Sequence, residues 1–187
     1  GKPSISFCLG WANHSWYKKA WGGKGQDQLL IEQEYPGVED YVLHFNTMLP
    51  AFKDKRYLRH EGKLVFVVYQ PLATKEIKTF IETWRKLAKE NGLNDFFFIG
   101  KDSYSAHKND ILNMGFNAIY NDNIFGVLHK ESKISKAIRY IKKEWFKIPM
   151  VFQYKDAVKY MLTDEEYCED VVPSIAPNWD HSPRSGA

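Results

Sequence analysis

The sequence predicts an α/β domain of the (β/α)-barrel type, with parallel strands and covering helices, an incomplete TIM-like barrel. Three observations carry this. Five short apolar runs (residues 5–9, 64–68, 96–99, 116–119 and 171–176) are bounded by turn residues and lack strict polar alternation, as strands buried on both faces do. Amphipathic helical patterns recur between them, and strand–helix alternation means a parallel sheet. Each run ends in a polar or aromatic cluster, and in such sheets and barrels ligands sit beyond the carboxyl ends of the strands. A closed barrel needs eight strands, whereas this chain supplies five clear ones and one further candidate.

The elements follow in order. Residues 5–9 lead into Trp11-Ala12-Asn13-His14-Ser15-Trp16. Trp21-Gly22-Gly23-Lys24-Gly25 lacks GKS or GKT and does not come straight off a strand, so it reads as a mobile loop over a site and not as a phosphate loop. Leu29-Leu30-Ile31 is a short apolar run ending in Glu32-Gln33-Glu34-Tyr35, and Pro36-Gly37 is a turn. A helix over 38–49 puts Val42, Phe45 and Leu49 on one face. His60-Glu61-Gly62-Lys63 reads as a hairpin turn ahead of the run at 64–68. Thr74 is expected to cap the clearest helix, which runs to Asn91 with Ile77, Phe80, Ile81, Trp84, Leu87 and Ala88 as its stripe and Gly92 as its stop. A helix over 105–114 stops at Gly115. One over 132–143 is expected to face Ile134, Ala137, Ile138 and Ile141 inward, and another covers 156–162. Glu165-Glu166 and Glu169-Asp170 read as solvated surface.

Length and composition bound the function. A chain of 187 residues is one domain or part of one, and 44% hydrophobic content supports a core. Aromatics at 16% are mostly core Phe, but Trp11, Trp16 and Trp179 sit in polar strand-end segments. The net charge of +3 is spread over helices rich in both signs, with no basic tract interleaved with aromatics, so no nucleic-acid partner is expected. Cys8 and Cys168 lack CxxC or Cys/His spacing, so no metal is expected, no cofactor motif is present, and a reducing compartment fits. No apolar run approaches transmembrane length, and no signal peptide is read at the amino terminus.

The strand-end residues suit a hydroxyl-rich ligand such as a sugar. Trp faces stack on the C–H surface of a sugar ring. Asn13, Tyr69, Gln70, Asn121 and Asp122 offer hydrogen bonds. His14 reads either as an acid or base near neutral pH or as a satisfied structural histidine. Asp102 reads as a cap or turn residue, Asp180 either as a residue lining a site or as a cap or turn residue, and Arg184 as a phosphate or carboxylate binder or a partner of Asp180; Asn121-Asp122-Asn123 also fits turn chemistry. No two carboxylates form the recognisable pair that glycoside hydrolysis uses.

Phe7-Cys8-Leu9-Gly10-Trp11-Ala12-Asn13-His14-Ser15-Trp16, Leu30-Ile31-Glu32-Gln33-Glu34-Tyr35, Phe52-Lys53-Asp54-Lys55-Arg56-Tyr57, the stretch from Gly62 to Pro71, and Pro177-Asn178-Trp179-Asp180-His181-Ser182-Pro183-Arg184 occur in an order and at spacings that resemble the WbsX-type glycosyltransferases. That bacterial family is related to the family ninety-nine glycoside hydrolases. The resemblance implies a glycan or nucleotide-sugar substrate and a role in cell-surface polysaccharide biosynthesis, such as lipopolysaccharide O-antigen or capsule. It implies a cytoplasmic location, at the inner face of the membrane or with membrane-bound glycan assembly. It also implies one domain over residues 1–187 that is the middle of a barrel, without its first strands and C-terminal end. On this reading His14 and Asp180 are catalytic, and Trp11, Asn13, Trp16, Tyr69, Gln70, Asn121, Asp122, Trp179 and Arg184 bind substrate. The chain departs from the family at position 14, where many members have Glu, and it has no Trp-Asn-Glu-Trp segment like the one bearing the hydrolases' acids. A hydrolase of α-mannoside-like linkages and a non-catalytic carbohydrate-binding remnant are the alternatives.

Overall fold

A computed structural model describes residues 4–20, 25–103, 106–121, 132–146, 148, 154–161 and 164–174. In chain order the elements are β1 (Leu9–Trp11), β2 (Trp16–Lys18), β3 (Gln28–Ile31), α1 (Val38–Phe52), β4 (Arg59–His60), β5 (Lys63–Val68), α2 (Ile77–Glu90), β6 (Phe96–Asp102), α3 (Lys108–Asn113), β7 (Ala118–Asn121), α4 (Lys133–Phe146), α5 (Tyr154–Met161), a 3₁₀ turn (Asp164–Tyr167) and β8 (Val171–Val172).

The main sheet has the order β1-β5-β6-β7-β8, every neighbouring pair parallel, with β4 antiparallel on β5. The strands thus follow one another in chain order, as α/β alternation demands. Among the described residues the sheet is open, and no ring closes.

The two-residue strand period sorts the core onto two faces. Leu64, Phe66 and Val68 of β5 and Phe96 and Phe98 of β6 turn toward α1 and α2, where they bury with Phe45, Phe52, Phe80 and Trp84. Val65, Ile99 and Ala118 lie on the opposite face with Val67, Phe97 and Tyr120. Trp84 is fully buried, and its indole N–H donates to the Tyr41 carbonyl at 2.9 Å. Gly100 of β6 lets α3 approach: a Cβ there would lie 2.6 Å from Ile111 Cγ2.

Most expected elements are present, with instructive shifts. The hairpin turn is Glu61-Gly62, with φ of 49° and 78°, the geometry of a two-residue primed turn. The first strand is Leu9–Trp11 rather than residues 5–9; Phe7 makes a single bridge to Tyr57, and Ile5 is exposed. α1 continues past Leu49 through Pro50, because Phe52 is fully buried against the rings of Tyr57, Trp84 and Phe96. Thr74 does not cap α2: its hydroxyl accepts from the Glu76 N–H two residues on, and the helix begins at Ile77. Leu29-Leu30-Ile31 belongs to β3, which forms a separate antiparallel ribbon with β2.

Two expectations are overturned. Glu166 is not solvated surface but buried, because Asn121 Nδ2 of β7 reaches its carboxylate at 3.5 Å and that of Glu165 at 3.1 Å. Asp170 pairs with Lys108 Nζ at 2.5 Å. The stripe of α4 does not face inward: Ile134, Ala137, Ile138 and Ile141 are exposed, because no described element covers that face.

Candidate functional site

A cleft of about 1000 Å³ opens at the carboxyl ends of β1 and β5. One wall is the segment that leaves β1, Ala12 to Ser15, with Gln70 and Ala73 from the chain leaving β5. The other is the β2–β3 ribbon, which contributes Trp16, Tyr17, Lys19, Leu30 and Gln33, with Tyr35 at the junction. The Ser15 hydroxyl accepts from the Gln33 N–H at 3.0 Å and ties the two walls together.

Asn13 builds the floor. Its side chain is fully buried, which is exceptional for an amide unless every polar atom is matched. Oδ1 accepts from the Gln70 N–H at 2.7 Å, and Nδ2 donates to the Gln70 carbonyl at 2.8 Å and to the Tyr35 hydroxyl at 3.2 Å. That hydroxyl in turn donates to the Asn13 carbonyl at 3.1 Å. Burial pushes the Tyr35 phenol above its ordinary value, partly opposed by its bond to Asn13, so it keeps the proton it donates.

His14 stands above this floor. Its backbone N–H closes a tight turn on the Ala12 carbonyl at 2.9 Å, and its ring lies 5.4 Å from that of Tyr69, tilted by 37°. Its Nδ1 is buried without a hydrogen-bond partner. Tyr69 is itself held by Lys101, whose ammonium donates to the phenol oxygen at 3.1 Å and lies 4.2 Å from the ring centroid. Lys101 is buried, and it stands one position past Gly100, which pairs with Val68, so it points to the face opposite α1 and α2. His14, Tyr69 and Lys101 thus form a row across the ends of β1, β5 and β6.

Of the residues expected to form a site, Asn13, His14, Trp16 and Gln70 meet around the cleft, and Tyr69 flanks it. Trp11 stands at the end of β1, but its register partner is Val68, which turns it to the helix side. There its ring packs 4.8 Å from Phe80, 5.4 Å from His44 and 5.8 Å from Tyr35. Asn121 pairs in register with Asp102, and its amide engages Glu165 and Glu166 rather than the cleft. Asp102 holds the turn ahead of α3, its carboxylate accepting from the His107 N–H at 2.8 Å, while no side chain caps the helix itself. Asp122, Trp179, Asp180 and Arg184 lie outside the described residues, as do most of the Gly-rich loop and the run at 150–152.

Tyr17, Lys19, Gln33, Tyr35 and Lys101 are additions that the strand-end reading did not single out. The polar cluster after the run at 29–31 is the signal for Gln33 and Tyr35, and the Lys-Asp ending of β6 for Lys101; Tyr17 and Lys19 carry no such signal and are brought in by the ribbon. Lys19, on the ribbon, pairs with Asp27, and that hydrogen bond holds the Asp27 carboxyl below its ordinary range. Taken together, the cleft offers an aromatic face, an imidazole nitrogen, amide groups and a cation, a set that can stack on and hydrogen-bond a polyhydroxylated ligand.

A match to the family described as Glycosyltransferase WbsX covers residues 1–187. The chain is also similar to the protein WxcX of Xanthomonas campestris pv. campestris, with 23% identity in strain B100 over 185 residues and 22% in a second strain over 188. Each alignment takes in 97% of this chain and 25% of the relative, so the chain spans about a quarter of the length of the curated relatives it matches. No solved structure matches it.

Proposed function

The chain belongs to the WbsX glycosyltransferase family, and from that premise we propose that it takes part in glycosyl transfer from a nucleotide-sugar onto a glycan acceptor in bacterial cell-surface polysaccharide assembly, with the cleft as the glycan site. The observation that carries the reading is the cleft itself: at the carboxyl ends of parallel strands it gathers Trp16, His14, Gln70 and Lys19 around one open space. Ligands of α/β sheets and barrels bind at that end. The chain-order parallel sheet supports a barrel scaffold.

In transfer, an acceptor hydroxyl oxygen bonds to the anomeric carbon while the bond from that carbon to the nucleotide's phosphate oxygen breaks. The hydroxyl proton needs a base, and the His14 imidazole is the group in the cleft suited to take it. Trp16, 58% exposed, offers its indole face to the sugar ring. Asp180, Asp122, Trp179 and Arg184 complete the proposed site, with Arg184 suited to a donor phosphate. A cytoplasmic location, where nucleotide-sugars are the donors, is part of the same proposal.

The test supplies a panel of nucleotide-sugars with and without oligosaccharide acceptors and measures acceptor-dependent release of nucleoside diphosphate. Release that His14→Ala abolishes supports transfer. Cleavage of an α-mannoside without any donor would point to hydrolysis instead, and glycan binding with neither reaction to a carbohydrate-binding module.

A further inference from the structure

We propose that α4 docks on an anionic lipid surface, lying in the headgroup plane with its isoleucine stripe toward the acyl chains. Ile134, Ile138, Ile141 and Trp145 recur at the spacing of one helical face and are 74%, 49%, 44% and 78% exposed. α2 has the same kind of stripe, but Ile77, Phe80, Ile81, Trp84 and Ala88 of that helix are all buried. The two helices therefore share a pattern and differ in what covers it.

Charge decides the occupant. α4 carries Lys133, Lys136, Arg139, Lys142 and Lys143 against the single acid Glu144, five less one, or +4, in a chain whose net charge is +3. The rest of the chain is close to neutral, so the cationic excess of the molecule is concentrated on this one helix. Lys133, Lys136, Arg139 and Lys142 lie outside the apolar stripe; by helical geometry they occupy its flanks and the opposite side. Tyr140 and Phe146 are exposed aromatics as well, but by helical geometry they lie among the basic residues and not on the stripe. An apolar stripe under a cationic face with an aromatic anchor is the chemistry of helices that lie in a bilayer interface, and the apolar stripe favours lipid over other polyanions. Spanning is excluded: at ~1.5 Å per residue the fourteen residues reach about 21 Å, short of a ~30 Å hydrocarbon core, and no helix among the described residues is long and apolar enough to cross a membrane.

The inference goes beyond sugar transfer and adds where that reaction would take place. Its test uses the whole chain, vesicles and no sugar, so its failure leaves the transfer assay untouched. Flotation with phosphatidylcholine vesicles containing about 30 mol% phosphatidylglycerol should carry the protein up at low salt, and ~0.5 M NaCl should release it. Lys136→Glu with Lys142→Glu should weaken partition roughly tenfold or more. Ile138→Asp should abolish flotation and leave the melting temperature unchanged. Failure of the wild type to float with anionic vesicles would overturn the proposal. So would a fall in melting temperature for Ile138→Asp as large as that of a core truncation, since the stripe would then be covered by protein.

Discussion

Asn13 and Gln70 are joined side chain to main chain in both directions, at 2.7 Å into Asn13 Oδ1 and 2.8 Å out of Nδ2. The last backbone rung between their strands runs from the Tyr69 N–H to the Trp11 carbonyl at 3.0 Å. The carboxamide, which has the donor and acceptor of a peptide group, adds one more rung where the backbones diverge. It is therefore a positioning residue for the cleft, and its polar atoms are spent before any ligand arrives.

Asn13→Ala should leave the Gln70 N–H and carbonyl without partners in a buried place and cost about 2–4 kcal/mol. Asn13→Asp removes the donor to the Gln70 carbonyl and buries a charge, so it should cost at least as much. Urea unfolding midpoints at constant slope measure both. A midpoint unchanged in both variants would return Asn13 to the list of direct ligand contacts.

Stability and binding should separate between two other residues. Trp84→Ala removes a fully buried ring and a hydrogen bond to Tyr41, and should cost about 3–5 kcal/mol. His14→Ala touches a half-buried ring on the cleft wall and should leave the melting temperature nearly unchanged while lowering glycan binding or turnover. Thermal melts run beside glycan titrations decide the matter; a large loss of stability in His14→Ala with binding intact makes it a structural histidine.

Trp16→Ala should lose stacking worth about 1 kcal/mol on a bound glycan, about fivefold in affinity, with no change in unfolding. Its exposure on the ribbon means that little packing is lost. Titration calorimetry with an oligosaccharide, compared with Trp16→Phe, tests this: the Phe variant should recover part of the affinity.

Gly100→Ala probes the packing of α3. The added methyl would meet Ile111 at 2.6 Å and both Phe116 and Pro71 at 3.2 Å, so the neighbours must shift. Overpacking of this kind should cost about 1–3 kcal/mol, readable as a lower denaturation midpoint.

How much of this was legible depends on which force decides each feature. β5, β6 and α2 were legible because their apolar residues are buried, so local pattern and tertiary fate agree. Trp11 turns away from the cleft for a reason of parity. The strand reaches Trp11 itself, and a register pairing with Val68 sends its side chain to the helices, which no run of apolar letters reveals. The β2–β3 ribbon was missed because Trp16-Tyr17-Lys18 has no alternation of its own and gains strand form only from Gln28–Ile31. α4 shows the limit from the other side: periodicity identifies an apolar face but not the surface that covers it.

The final prediction concerns pH. His44 of α1 lies among the rings of Trp11, Phe80 and Trp84 at 5.4, 6.2 and 4.9 Å. Burial there lowers its pKa below the ordinary 6.5, only partly offset by Asp40. The sign follows from proton counting. Above about 6.5 the imidazole is neutral in both folded and unfolded chains, and its contribution does not depend on pH. As pH falls below that value the unfolded chain takes up the proton first, so stability is lost progressively until the folded pKa is passed. His44→Phe keeps an aromatic ring among its neighbours and removes the titration. Melting temperatures measured between about pH 8 and pH 5 should fall more steeply in the wild type than in His44→Phe, the difference opening below about 6.5. Parallel curves would mean that His44 is solvated enough in the fold to be protonated at no cost, and that its aromatic cage is looser than these ring distances indicate.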